Sequence, residues 1–144
     1  MQAINRSLSS FAPFGPTIIR VVIGALFVLH GVDKFNGGIS GVEGFFAANG
    51  VPAAGFTAPV TAVLEIVLGA ALIAGLFTRL AALALAAVIV GAIVFVKADG
   101  GILGSAELDL AYLAGLVGVA LLGPGRLSVD ETIKTEPKAA LVAA

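Results

Sequence analysis

The sequence contains no cysteine, no tryptophan and a single histidine. Without cysteine, the chain cannot form disulfides, thiol relays or thiolate metal sites. One histidine also excludes a bis-histidine haem within one chain, and no HExxH element, nucleophile elbow or phosphate-binding loop is present. We therefore expect no metal site, and any redox chemistry has to come from a bound molecule or from a partner protein.

Charge is equally scarce. Only 12% of the residues are charged, against about 25% in a soluble domain, and the mean hydropathy is +1.10. The net charge is −1, and the basic residues are scattered singly, so nothing is suited to follow a nucleic-acid backbone. The composition excludes nucleic acid as a partner and predicts a small membrane protein with one domain.

Four apolar stretches have about the 20 residues that a helix needs to cross a bilayer. They cover residues 17–35, 57–77, 80–97 and 108–123. The alternating ten-residue strands of a membrane barrel are absent. The sequence predicts an all-α fold, an antiparallel transmembrane four-helix bundle over residues 17–126. A short N-terminal segment, 1–16, precedes it, and a flexible tail, 127–144, follows it.

The distribution of Lys and Arg predicts the orientation. One side would carry Arg6, Arg20, Arg79, Arg126, Lys134 and Lys138, and the other Lys34 and Lys97. Both termini are then expected to be cytoplasmic, in a multi-pass protein of the plasma membrane. The longest loop, 36–56, would lie outside and form a short amphipathic helix ended by Gly50 and Pro52, with Phe45 and Phe46 at the interface. A solvated loop with two incidental aromatic residues is the alternative.

Small residues four positions apart predict where the helices approach closely. Three pairs have this spacing: Ala87 with Gly91, Ala111 with Gly115, and Ala114 with Gly118.

Glu65 lies eight residues into the second apolar stretch, roughly 12 Å from the outer face at 1.5 Å per residue. An acidic residue at that depth is a functional-site hypothesis by default. His30 and Lys34 are one helical turn apart near the outer end of the first stretch. Asp109 and Tyr112 occupy the outer end of the fourth. We expect these side chains to converge in the outer half of the bundle.

Each of these polar residues also has a structural explanation. Lys34 can be an interfacial residue, Asp109 can complement the dipole at the start of its helix, and His30 can be a hydrogen-bonded structural residue. Arg20, near the inner face, can extend to the headgroups or pair with Glu65 if the helices tilt. Glu65 itself can form a structural ion pair, donate a hydrogen bond as a protonated acid, or serve a site.

The order of several short elements resembles the DoxX family of small bacterial membrane proteins. These elements are Arg20 followed by VVIGALFVLHGVDKF, the HGxxK element from His30 to Lys34, NGVP at 49–52, Glu65 with Gly69, GLFTR at 75–79 and GPGRLSVD at 123–130. The resemblance implies four helical spans and an association with redox complexes. The family is named for a subunit of a thiosulfate:quinone oxidoreductase. Actinobacterial members are linked to a membrane-associated oxidoreductase complex with a superoxide dismutase and a thiosulfate sulfurtransferase.

Two hypotheses of function follow. In the first, the chain is the membrane subunit of a quinone-linked oxidoreductase or of an oxidative or thiol-stress complex. It has no covalent cofactor and binds a quinone-like or other small amphipathic molecule in an outer-half polar cavity. The candidate partners are the lipid bilayer, redox proteins and further copies of the chain.

The candidate catalytic residues are Glu65 and His30, and the candidate ligand-binding residues are Arg20, Lys34, Asp109 and Tyr112. Of these, Arg20, His30, Lys34 and Glu65 match motif positions of the family, whereas Asp109 and Tyr112 follow from depth alone. In the second hypothesis, the chain is a non-enzymatic scaffold or binding protein whose buried charges are structural. The sequence leaves open whether the chain itself catalyses a reaction.

Overall fold

The computed structural model describes residues 8–97, 100 and 102–135. In this part of the chain the secondary structure is helical and contains no strand, which confirms the all-α prediction. The helices are α1 (Gly15–Asn36), α2 (Ile39–Ala48), α3 (Ala54–Ala74), α4 (Thr78–Val96), α5 (Glu107–Leu122) and α6 (Val129–Thr135). A 3-10 turn, Ala12–Phe14, precedes α1, and a π-helical turn, Ile102–Ala106, precedes α5. Four helical segments in the described ranges are long and apolar enough to cross a membrane.

The first spanning helix begins earlier than the sequence predicts. Helical residues run continuously from Leu8 to Asn36, so the described part of the expected N-terminal segment, 1–16, is helical. Pro13 and Pro16 do not interrupt it because each lies in the first turn of its helical element, where a missing N–H leaves no intrahelical bond unmade. Residues 1–7 lie outside the described ranges.

The tail also differs from the flexible segment predicted for residues 127–144. Residues Val129–Thr135 form α6, and the Asp130 amide donates a 2.9 Å hydrogen bond to the carbonyl oxygen of Gly75. The beginning of the tail is therefore bound to the turn between α3 and α4. Residues 136–144 lie outside the described part of the chain.

The predicted amphipathic helix in the long loop is present as α2. It packs mainly on α3 and to a smaller extent on α1. Gly50 follows it in the left-handed region, with a φ of 71°, which is a conformation that ends helices and favours glycine. Because α2 rests on these two helices, Phe45 and Phe46 lie at one end of the bundle.

The four long helices form a ring in the order α1, α3, α4, α5. The contacts between α1 and α3 and between α4 and α5 are the most extensive, whereas those that join the two pairs are fewer. The apolar core between the pairs includes Ile23, Phe27, Leu72, Leu85, Ile89, Leu116 and Val119. The bundle is thus two closely packed helix pairs with a looser interface between them.

Glycine makes the α1–α3 contact possible. A β-carbon on Gly24 would lie 2.6 Å from the carbonyl oxygen of Gly69, and one on Gly69 would lie 2.7 Å from that of Gly24. Seven residues further along α1, a β-carbon on Gly31 would lie 2.6 Å from the carbonyl oxygen of Ala62. Such backbone contact is a main source of helix association in lipid, where apolar side chains gain little from leaving the solvent.

The small-residue pairs chosen by spacing alone do not mark this interface. Added β-carbons on Gly91 and Gly118 would meet no atom within 4 Å outside their own helix backbone, and Gly115 accommodates the Cδ1 methyl of Ile23 rather than a helix backbone. In a chain so rich in alanine, the spacing recurs at positions that make no close contact with the backbone of another helix. The tertiary contacts therefore decide which small residues are used.

Candidate functional site

A cavity of about 630 Å³ opens between the two helix pairs at the end of the bundle where His30 lies. This volume is within the range of small-molecule sites. Its walls are mainly apolar and include Phe27, Phe46, Val88, Ile89 and Phe95. The polar side chains that reach it are His30, Lys34, Thr57, Thr61 and Glu65 from α1 and α3, Lys97 from the position after α4, and Asp109 and Tyr112 from α5. The structure therefore brings five of the six candidate site residues to one cavity.

Lys34 and Glu65 form the first ion pair of this cavity. The Lys34 Nζ atom lies 2.5 Å from Glu65 Oε2, and Glu65 is only 6% exposed. A β-carbon on Gly31 would lie 3.2 Å from the β-carbon of Glu65, so the glycine brings the two helices close enough for the pair to form. A buried carboxylate is costly without a counterion. Lys34 supplies that counterion, while the second carboxylate oxygen makes no hydrogen bond to a described residue.

Lys97 and Asp109 form a second ion pair on the opposite side of the cavity. The Lys97 ammonium donates to Asp109 Oδ2, and Asp109 is 8% exposed. Sequence reasoning missed Lys97 as a site residue, although the predicted topology places it on the same side of the membrane as Lys34. Each helix pair thus contributes one ion pair, and the two face a shared apolar space.

His30 and Tyr112 line the same cavity as these ion pairs. The Nδ1 atom of His30 is 2.8 Å from the carbonyl oxygen of Leu26; since a carbonyl only accepts, Nδ1 is the protonated nitrogen. The imidazole meets the Tyr112 ring edge-on, with the ring centroids 6.3 Å apart. Within the described residues, neither His30 Nε2 nor the Tyr112 hydroxyl has a hydrogen-bond partner. Both polar groups are available to a ligand.

Arg20 is the candidate that the structure does not bring to the cavity. Its fully buried guanidinium lies at the other end of α1 and donates to the carbonyl oxygens of Leu72 and Ile73, both at 2.6 Å. It also donates to Pro124 at 2.8 Å and to Leu127 at 2.7 Å. These carbonyls belong to the last turn of α3 and to the loop after α5. Arg20 therefore joins α1 to two other chain segments, and the negative end of the α3 dipole favours its charge.

Asp130 completes the connections at the Arg20 end of the bundle. Its carboxylate accepts hydrogen bonds from the backbone amides of Phe77 and Thr78, both at 2.8 Å. Helix α4 has no side-chain cap of its own at Phe77, so Asp130 supplies the cap from α6. Sequence reasoning did not identify this role, because no local pattern links a helix start to an acid more than 50 residues later.

The DoxX family model matches residues 15–98 of the chain, the stretch that contains Arg20, His30, Lys34 and Glu65. The chain belongs to the DoxX family. The resemblance seen in the sequence is thereby confirmed, and the protein is a multi-pass membrane protein that contacts the lipid bilayer.

Two relatives of this DoxX chain extend over most of its length. An uncharacterized membrane protein of Mycobacterium tuberculosis is 37% identical over 141 residues, which cover 89% of this chain and 86% of the relative. A Bacillus subtilis protein named "Putative oxidoreductase CatD" is 35% identical over 116 residues, which cover 81% and 84%. No solved structure matches the chain significantly.

Chemically, the cavity combines an apolar volume with ammonium groups, carboxylates, an imidazole and a phenol. Such a set can bind a small amphipathic molecule through its oxygens and can exchange protons with it. The charges are already paired within the protein, so the ligand itself does not need to be charged.

Proposed function

We propose that this DoxX protein is the plasma-membrane subunit of a quinone-linked oxidoreductase or of an oxidative or thiol-stress complex. In this proposal it binds a quinone-like or other small amphipathic molecule in the cavity between the helix pairs. The observation that carries the proposal is the arrangement of two ion pairs on opposite walls of one apolar cavity. The name of the B. subtilis relative supports a redox association.

A quinone has the shape and polarity that this cavity suits. Its ring is flat and apolar, and its two oxygens lie at opposite edges of the ring. In the proposed complex, one oxygen lies near Lys34 and His30 and the other near Lys97 and Tyr112. The aromatic walls contact the ring, which leaves an aliphatic tail free to extend into the lipid.

The ionisable side chains of the cavity can exchange the protons that reduction of a quinone requires. Reduction of a quinone to a quinol takes up two electrons and two protons, and negative charge develops on each oxygen before the proton arrives. The ammonium groups of Lys34 and Lys97 stabilise that charge, and Glu65 and His30 exchange protons with the oxygens. The chain has no thiol, so a redox partner protein supplies the two electrons.

The scaffold hypothesis has its own support in Arg20. All four hydrogen bonds of this buried charge go to backbone carbonyls, which is the pattern of a structural residue. If the ion pair of Glu65 served the same purpose, its loss would change stability but not ligand content. The two hypotheses therefore predict different outcomes for one substitution.

The test compares Glu65→Gln with Glu107→Gln. Glu107 is an exposed acid on α5 that does not line the cavity, so its change to glutamine is a matched control. Each protein is purified in mild detergent, its bound lipids and quinones are identified by mass spectrometry, and its thermal unfolding is followed by circular dichroism. Loss of a bound quinone in the Glu65 variant alone supports the proposal. An unchanged ligand inventory with lowered thermal stability favours the scaffold.

Occupancy of the cavity can also be followed directly. Tyr112 is the single tyrosine of a chain without tryptophan, and it lines the cavity. Its fluorescence therefore reports on ligands that enter. Titration with a short-chain quinone is expected to quench the Tyr112 signal saturably, whereas the signal of free N-acetyltyrosinamide in the same detergent falls only in proportion to absorbance.

We also propose that both termini are cytoplasmic and that the cavity opens towards the outer face, in line with the Lys and Arg distribution. Because the chain has no cysteine, single introduced cysteines can report this orientation. Ser40→Cys on α2 and Ile133→Cys on α6 replace exposed residues. A membrane-impermeant maleimide added to intact cells should label the first and not the second. The reverse result would overturn the orientation.

A further inference from the structure

We infer that the cavity prefers the reduced, hydroxyl-bearing form of its ligand and that His30 sets this preference. The inference rests on the proposed function, because it concerns a ligand of the same cavity. The preferred ligand is an aromatic hydroxyl compound such as a hydroquinone, rather than the corresponding carbonyl compound.

The hydrogen bond of His30 to its own helix carries the argument. The Leu26 carbonyl 2.8 Å from Nδ1 can only accept a hydrogen bond, so Nδ1 carries a hydrogen, and in a neutral imidazole this is the single ring N–H. In that tautomer, Nε2 has a lone pair and no hydrogen. His30 therefore presents an acceptor to the cavity.

An acceptor discriminates between the two oxidation states of a ligand. The hydroxyl of a hydroquinone donates to Nε2, whereas the carbonyl oxygen of a quinone has no hydrogen to donate and its lone pairs face that of the nitrogen. When a quinone occupies the site, Nε2 of His30 stays without a hydrogen-bond partner in a largely apolar cavity, and this lowers the affinity for the quinone. The ring of Tyr112, edge-on to the imidazole, limits the space into which the imidazole can turn.

The carboxylates of the two ion pairs also favour a ligand that bears hydroxyl groups. Glu65 is bonded to Lys34 through Oε2 and Asp109 to Lys97 through Oδ2, so one carboxylate oxygen of each pair remains as a further acceptor without a described partner. The acceptors of the cavity thus include three atoms that accept no hydrogen bond from a described residue. A ligand with hydroxyl hydrogens can satisfy more of them than its oxidised form can.

The test measures binding of both oxidation states. The detergent-solubilised protein is titrated anaerobically at pH 8 with 1,4-naphthoquinone and with its hydroquinone, and Tyr112 fluorescence is recorded. We expect the hydroquinone to bind about tenfold more tightly, as one additional hydrogen bond allows. In His30→Phe, which retains an aromatic ring but has no acceptor, the advantage of the hydroquinone should fall several-fold, and the two carboxylate oxygens account for the part that remains.

A ligand-side control requires no variant. 1,4-Dimethoxynaphthalene keeps the ring and both oxygens of the hydroquinone but has no hydroxyl hydrogen, so it should bind no more tightly than the quinone. Equal binding of quinone and hydroquinone to the wild-type protein, or tighter binding of the quinone, overturns this inference and leaves the proposed function standing. If neither compound binds saturably, both the proposed function and this inference are wrong. An advantage for the hydroquinone that is as large in His30→Phe as in the wild-type protein overturns the role of His30.

Discussion

Gly31 lies so close to Ala62 that a β-carbon on the glycine would be 2.6 Å from the alanine carbonyl oxygen. This contact sets the distance between α1 and α3 beside the cavity. It allows Lys34, three residues after Gly31, to reach Glu65, three residues after Ala62. The absence of a side chain at one position thus determines whether a buried charge elsewhere has a partner.

Gly31→Ala is expected to destabilise the bundle by about 1–3 kcal/mol, the usual cost of overpacking. The added methyl would meet backbone, which cannot move without separating the helices. Gly118→Ala is the matched control, because a β-carbon there has open space and alanine raises helix propensity by up to about 1 kcal/mol. Unfolding by sodium dodecyl sulfate, followed by circular dichroism, should therefore show changes of opposite sign. A stabilised Gly31 variant would contradict the close contact.

Lys34 and Glu65 should be energetically coupled. Lys34→Met leaves the buried Glu65 without its counterion and Glu65→Gln leaves the half-buried Lys34 without its own, whereas the double variant removes both charges. We expect the double variant to be more stable than the sum of the single effects predicts, by about 1–3 kcal/mol. The same unfolding assay measures all four proteins of the cycle. Additive effects would mean that the two side chains do not interact in the membrane-embedded protein.

Arg20→Lys should destabilise the protein without emptying the cavity. A lysine ammonium cannot reproduce the planar set of donors with which Arg20 binds four carbonyls. We expect a loss of about 2–4 kcal/mol and faster proteolysis after α5. Arg126→Lys, at an exposed position over the Phe14 ring, is the control and should have a small effect. Loss of ligand from a folded Arg20→Lys protein would argue for a direct role of Arg20 in binding.

Asp130→Asn should weaken the start of α4. The aspartate accepts from two backbone amides, one through each oxygen, and asparagine retains only one of these oxygens. The expected cost is about 1 kcal/mol, typical of a lost helix cap. Asp33→Asn, which changes an exposed acid on α1, is the control. Faster hydrogen exchange at Phe77 and Thr78, without a change in Tyr112 fluorescence, would support the assignment.

The sequence alone determined the class of the protein and its spans. Long apolar stretches have few ways to satisfy their backbone groups in lipid, so composition and length are enough to predict four helices. Counting residues from the predicted membrane faces also indicated that Lys34 and Glu65 lie at a similar depth, since the position along a helix axis follows from the residue count. The family motif was visible because its residues occur in a linear order.

Tertiary structure alone decided which charges meet. Residue count fixes depth but not rotation about the helix axis, so the small-residue spacing pointed to Gly91 and Gly118 although the close contacts are made by Gly24 and Gly31. For the same reason, Arg20 binds carbonyls from distant parts of the chain, and Asp109 pairs with Lys97, which lies 12 residues earlier in the sequence. Polar groups in an apolar bundle take the partners that packing brings within reach, and those partners are set by the whole fold.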